Sequence, residues 1–231
     1  MLFLISIIII LILIIIIISY RASIRPILLQ KKSLDLTYDN LKSGDIILYR
    51  NNKTSIVTNL IFGDLYSHSG IIYEKDNIKY VVESHFRRLH TNSNDVNLPT
   101  KLLISPVKSH FSLYNGLIYV LPLNKPLDAT RLKTLDDLIN NKYSHLTFKV
   151  KINEYIDKCI LSIGPRSIDT PEQSIHCSEF VASILSDINI IKLNTHAICI
   201  RPNCYIKLFK HAKYVDGYQY DPTNMYSVIF N

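Results

Sequence analysis

The spacing of hydrophobic positions changes along the chain. Residues 1–19, MLFLISIIIILILIIIIIS, are apolar apart from two serines and carry no charge. As a helix, at 1.5 Å per residue, such a run is about 28 Å long, enough to cross the hydrocarbon core of a bilayer. From residue 41 onward the apolar runs are shorter. LKSGDIILYR opens on a turn signal, Ser43-Gly44-Asp45, and continues as an apolar stretch of strand length. SHSGIIYE (67–74) and IKYVVESH (78–85) predict two strands, with Asp76-Asn77 suited to the turn between them. LIYVLPL (117–123) predicts another, ended by Asn124-Lys125-Pro126. Residues 54–63 read as helix or loop. Residues 86–112 are polar and read as loops with one short strand.

The period then becomes helical. In 129–141, Leu132, Leu135, Leu138 and Ile139 share one face, with Asp136 and Asp137 on the other. In 151–163, Ile152, Tyr155, Ile156, Cys159 and Ile160 recur at helical spacing before Gly164-Pro165 ends the run. In HCSEFVASILSDINII, Cys177, Phe180, Val181, Ile184, Leu185 and Ile188 form a core-facing stripe. Strands early and helices late predict an α+β domain. The expected organisation is a transmembrane anchor over 1–19, a basic and polar linker over 20–40, and one domain over 41–231.

Charge adds orientation. No Lys or Arg precedes the apolar run, no small-residue cleavage site follows it, and Tyr20-Arg21 come next, so an uncleaved anchor fits better than a signal peptide. Arg21, Arg25, Lys31 and Lys32 all lie on its C-terminal side, which by the positive-inside rule places the domain in the cytosol. Four cysteines without paired spacings do not suggest a disulfide framework and agree with a reducing compartment. The net charge is +7, yet basic residues are scattered among acidic ones. That argues against a nucleic-acid partner and fits a solvated surface, or a face turned to an anionic membrane. Neither a P-loop nor a Gly-x-Gly-x-x-Gly turn is present, and no cofactor is expected.

Cys177 is the first candidate for chemistry. It falls in the first turn of its helix, where the macrodipole and backbone N–H groups favour a thiolate and could stabilise an oxyanion. A buried helical cysteine is also an ordinary small hydrophobe, the reading that suits Cys159. A thiolate needs a base. His176 is adjacent, but neighbours on a helix point in different directions. His68 opens a strand and would be held by the sheet. Glu83 interrupts the run Tyr80-Val81-Val82 on the next strand, within cross-strand reach of His68, and could orient the imidazole. His85 is a second candidate for either role. Taken singly, His68 also reads as a strand-end surface histidine and Glu83 as a half-exposed carboxylate. His196, Cys199 and Cys204 lack the close cysteine pair of a usual zinc site, and no metal is predicted.

In this order, GDIILYR, SHSGIIYE, YVVES and HCSEFVASIL resemble the circularly permuted branch of the NlpC-type papain-fold cysteine hydrolases. That branch includes the YiiX-like bacterial proteins and relatives in large DNA viruses. The resemblance spans residues 41–210 and implies a permuted papain-like fold, an antiparallel sheet or barrel packed on helices. It implies that Cys177 is the nucleophile, His68 the base paired with it, and Glu83 the third member that orients the imidazole. Papain-like enzymes generally place the cysteine before the histidine; here it follows, which is the sense of the permutation. The implied reaction is thiol hydrolysis or acyl transfer at an amide or ester, through a thioester. With the anchor, a lipid or membrane-protein substrate is expected, in a host or virion membrane if the chain is viral. The second expectation is a catalytically inactive papain-fold module that binds a lipid or protein partner at a membrane.

Overall fold

The computed structural model describes residues 6, 10–15, 30–51, 65–84, 102–148, 159 and 174–229. The strands are β1 (Gln30–Ser33), β2 (Ile46–Asn51), β3 (His68–Lys75), β4 (Ile78–Ser84), β5 (Leu102–Pro106), β6 (Gly116–Leu121), β7 (Thr147–Phe148), β8 (Ser174–Ile175), β9 (Ile191–Leu193), β10 (Ala212–Tyr214) and β11 (Tyr226–Ile229). The α-helices are α1 (Leu34–Asn40), α2 (Val107–Leu113), α3 (Ala129–Asp137) and α4 (Cys177–Asp187). Seven strands form one sheet in the order β1-β11-β6-β2-β3-β4-β5. Its pairings are antiparallel except β1 with β11. The class is α+β, and among the described strands the sheet runs from edge to edge without closing into a barrel.

Successive side chains on a strand point to opposite faces, and here both faces are covered. Ile46, Leu48, Ile71, Tyr73, Val82 and Leu121 pack with Phe180, Val181, Ile184 and Leu185 of α4. Ile47, Tyr49, Ile72, Val81, Ile118 and Val120 pack on the other side with Val107 and Phe111 of α2. This double burial is why IIL in β2 and YVV in β4 read as continuous apolar runs rather than alternation. The hairpin expected at Asp76-Asn77 is present: both residues have positive φ, 52° and 61°, and Lys75 pairs with Ile78. Asn and Asp tolerate that conformation, and turns with positive φ at both central residues match the right-handed twist of the strands they join.

Helix α4 buries the whole predicted stripe, with Phe180, Val181, Ile184 and Leu185 at 0% exposure. Each such side chain contributes about 2 kcal/mol by burial, so the N-terminus of α4 rests on a rigid base. The helix stops where Asn189 turns left-handed (φ 55°) and Ile190 N–H donates back to the Leu185 carbonyl at 2.9 Å.

Several expectations need correction or limits. The linker expected over 20–40 contributes, from Gln30 on, strand β1 and helix α1, whose N-cap Ser33 accepts from Leu36 N–H. β1 reads QKKS and lies at a sheet edge, so no apolar alternation announces it. The polar stretch 86–112 contains not only a short strand, β5, but also helix α2. The spacings of the four cysteines do not suggest a disulfide, yet one forms: Cys159 and Cys199 are bonded across 40 residues, with Cα atoms 5.4 Å apart, leaving Cys177 and Cys204 as free thiols. So Cys159 is a cross-link and not merely a core residue. The stretches 54–63, 85–101 and most of 151–163 lie outside the described residues, as does the anchor apart from Ser6 and 10–15. Among the described residues, no helix is long and apolar enough to cross a membrane.

Candidate active site

Cys177 is the first residue of α4, and its neighbour His176 builds the start of the helix. The His176 Nδ1 accepts from Glu179 N–H at 3.2 Å, while the Glu179 carboxylate accepts from His176 N–H at 3.3 Å. This reciprocal cap satisfies two of the helix's first-turn N–H groups. Nε2 of the same ring donates to the Ile198 carbonyl at 3.2 Å. Thus His176 is engaged on both nitrogens as a structural cap, which fits poorly with a role as the base.

His68 begins β3, directly opposite Tyr49 of β2. The β3–β4 register, with Ile71 opposite Val82, brings Gly70 against Glu83. A Cβ at Gly70 would lie 3.1 Å from Val81, 3.2 Å from the Val82 carbonyl oxygen and 3.3 Å from the Glu83 Cβ. With no side chain there, the His68 ring can lean along the strand to the diagonal carboxylate. Its Nε2 lies 2.9 Å from Glu83 Oε2, and both side chains are buried. The end of β4 is tied to the nucleophile's helix by Ser84 Oγ, which donates to the Ile175 carbonyl at 2.8 Å.

Nε2 is engaged by Glu83, which leaves the second ring nitrogen of His68 for Cys177, whose charge couples to the ring. Burial disfavours the imidazolium, but the facing Cys177 thiolate and the Glu83 carboxylate outweigh it and raise the His68 pKa to about 10. Burial likewise pushes the Cys177 thiol up, but the His68 imidazolium, helped by His176, outweighs it and lowers the thiol to about 5. The charged pair is therefore self-consistent near neutral pH, with a carboxylate behind the imidazolium.

The structure thus brings Cys177, His68 and Glu83 into one cluster, whereas His85 lies outside the described residues. Cys199 is committed to the disulfide, so His196, Cys199 and Cys204 cannot act together as metal ligands. Two further residues belong to the cluster. His110 of α2 is 3% exposed, and its Nε2 lies 2.8 Å from the Tyr49 hydroxyl and 3.6 Å from Glu83 Oε1. Tyr49 stacks at a tilt on His68, with centroids 5.3 Å apart. Tyr49 could have been found by pairing GDIILYR with SHSG. His110 carries no such signal, because its seven-residue helix is too short to show a period.

No protein-family model matches the chain, and no curated protein matches it. Among solved structures it is similar to the crystal structure of the metalloprotein YiiX from Escherichia coli O157:H7. The identity is 17%, over 64% of this chain and 66% of that one, with a TM-score of 0.43. The chain thus spans just under two thirds of that protein's length. At this level of likeness, the reading of function rests on the site's own geometry.

Proposed function

We propose that the protein is a thiol hydrolase or acyltransferase with a permuted papain-like fold, acting on an amide or ester through Cys177, His68 and Glu83. What supports it is the geometry: Cys177 opens a helix beside an imidazole whose Nε2 is 2.9 Å from a buried carboxylate, a setting that lowers the thiol. In this reading the Cys177 thiolate attacks the acyl carbon, forming a C–S bond. First-turn N–H groups of α4 stabilise the oxyanion. The His68 imidazolium gives its proton to the departing amine or alcohol as the C–N or C–O bond breaks. His68 then takes a proton from water or an acceptor hydroxyl or amine, whose oxygen or nitrogen attacks the thioester. Collapse releases the acyl product and regenerates the thiolate–imidazolium pair.

The substrate class favoured is an acyl lipid or an acylated or cross-linked peptide at a membrane, motivated by the apolar run 1–19. The test is full-length protein in phosphatidylcholine vesicles, offered an acyl lipid and a soluble acyl peptide separately. An acyl group on Cys177, labile to hydroxylamine and formed mainly from the lipid, is the expected result. Acylation by the soluble peptide alone would overturn the lipid preference. No acylation, together with tight vesicle or lipid binding, would favour the inactive binding module.

The membrane anchor and a cytosolic domain are part of the same proposal, from Arg21, Arg25, Lys31 and Lys32 after the apolar run. The Cys159–Cys199 bond pulls the other way, since such bonds persist mainly in oxidising compartments. Protease treatment of sealed membranes decides between them. Digestion of the domain from the cytosolic side is expected, and protection from that side overturns the assignment.

A further inference from the structure

The 3-10 segment Pro202–Lys210 touches both halves of the candidate active site. On one side Asn203 Oδ1 accepts from Leu65 N–H at 3.0 Å and from Tyr66 N–H at 3.2 Å. These two residues lead into β3, which His68 begins. On the other side the Tyr205 hydroxyl donates to the Ser178 carbonyl at 2.6 Å. Ser178 is the second residue of α4, next to Cys177. A single residue separates Asn203 from Tyr205, so one short stretch of backbone grips the strand entry and the helix start together. Both ends of the grip are anchored. Tyr205 and Leu208 are each 1% exposed in the main core, which fixes the segment. The buried Tyr66 ring meets Tyr119 edge-on, with centroids 5.2 Å apart, and Ser67 N–H donates to the Tyr49 carbonyl at 2.8 Å. Leu65 and Tyr66 precede the strand, outside its ladder, so a side chain supplies the acceptor for their N–H groups.

We propose that Asn203 and Tyr205 are positioning residues, a clamp through which the segment carrying them sets the spacing between the His68 ring and the Cys177 sulfur. Neither side chain has to touch the reacting atoms. Asn203 acts through the backbone that carries His68, and Tyr205 through the first turn that carries Cys177. The spacing matters because the attraction between a thiolate and an imidazolium falls as they separate. This inference rests on the thiolate–imidazolium reading of Cys177 and His68.

The test is the pH dependence of Cys177 alkylation by iodoacetamide in full-length protein, scored as initial rates by peptide mass spectrometry. Cys204, the second free thiol, is scored separately in the same digest. His68, His176 and Tyr205 face Cys177, while Cys177, Glu83 and Tyr49 face His68. Glu179 stands beside His176, and His110 beside Glu83. Burial keeps the Tyr205 phenol neutral across the range, so neither Asn203→Ala nor Tyr205→Phe removes a charge. Wild type should show a reactive limb that rises as pH passes about 5. His68 stays protonated through that limb, and a wider gap weakens its pull on the thiolate. Opening a contact pair of unit charges by about 1.5 Å, at a protein's effective dielectric, is worth about one pH unit. In Asn203→Ala and in Tyr205→Phe the limb should therefore move up by about one pH unit, and alkylation at pH 5 should slow about fivefold. Val228→Ala removes buried bulk on the far face of the sheet from α4; it should lower Tm and leave the limb in place. A limb that stays at the wild-type position in either clamp variant, whatever the change in Tm, overturns the clamp and leaves the ion pair standing. A limb that Val228→Ala moves equally also overturns the clamp, since the limb then reports general stability. Absence of the low-pH limb in wild type overturns the ion pair, and the clamp with it.

Discussion

Cys177→Ser is expected to lower turnover of an activated acyl donor, such as a p-nitrophenyl ester, by about ten-thousandfold or more in full-length protein. The size follows from what is lost. A thiol held at about 5 by the facing imidazolium is largely thiolate at neutral pH, whereas a serine hydroxyl there remains protonated and must be activated anew in each cycle. The change replaces one sulfur by oxygen in a helix whose remaining stripe is fully buried, so the fold should persist. His68→Ala should cost a similar factor, because it removes both the charge that lowers the thiol and the proton donor to the leaving group. The two losses should not multiply, since the residues act as a unit: the double variant should be about as slow as either single one. Initial-rate measurements on the three variants, with circular dichroism to verify folding, check this. Retention of more than a tenth of wild-type turnover in Cys177→Ser would show that acyl transfer does not pass through this sulfur.

The parts of this site that could be read from the chain are those with a local signature. The stripe from Cys177 to Ile188 specifies a helix by its period, and Asp76-Asn77 specifies a hairpin by its tolerance of positive φ. The hairpin fixes the register, and the register brings Glu83 within reach of His68. Gly70 completes that approach: its missing side chain was visible in SHSGII, but what it makes room for became clear only with β4 beside it. The hidden parts depend on contacts distant in sequence. β1 is four polar residues at an edge, stabilised by pairing with β11 almost two hundred residues later, and no periodicity encodes that. His110 sits on a helix of seven residues within a polar stretch, too short for its apolar positions, Val107 and Phe111, to show a period. The cysteine pairing is of the same kind, because spacing within a chain says nothing about which sulfurs meet.

That pairing should dominate the stability of the C-terminal half. Closing a loop of 40 residues removes enough unfolded-state entropy to stabilise the chain by about 4 kcal/mol in the loop-entropy description. For a chain of this size that corresponds to a fall of roughly 8–16 °C in Tm on opening the bond. The cross-link also bears on the site. Cys199 ends the turn Ala197–Cys199, and the carbonyl of the buried Ile198 in that turn accepts from His176 Nε2, the cap beside the nucleophile. Opening the bond removes the cross-link that holds the turn bearing the Ile198 carbonyl, while the Ser178 and Glu179 contacts to the His176 ring remain. Thermal unfolding of wild type with and without dithiothreitol, beside Cys159→Ser, checks the expectation. Wild type should lose its Tm increment on reduction, whereas Cys159→Ser should start low and respond no further. A fully reduced wild type, verified by mass, that unfolds at the oxidised temperature would mean that the packing of Ile198 and α4 holds this region without the bond. The cross-link would then contribute nothing measurable to the native state, and a cytosolic domain would carry no stability penalty for losing it.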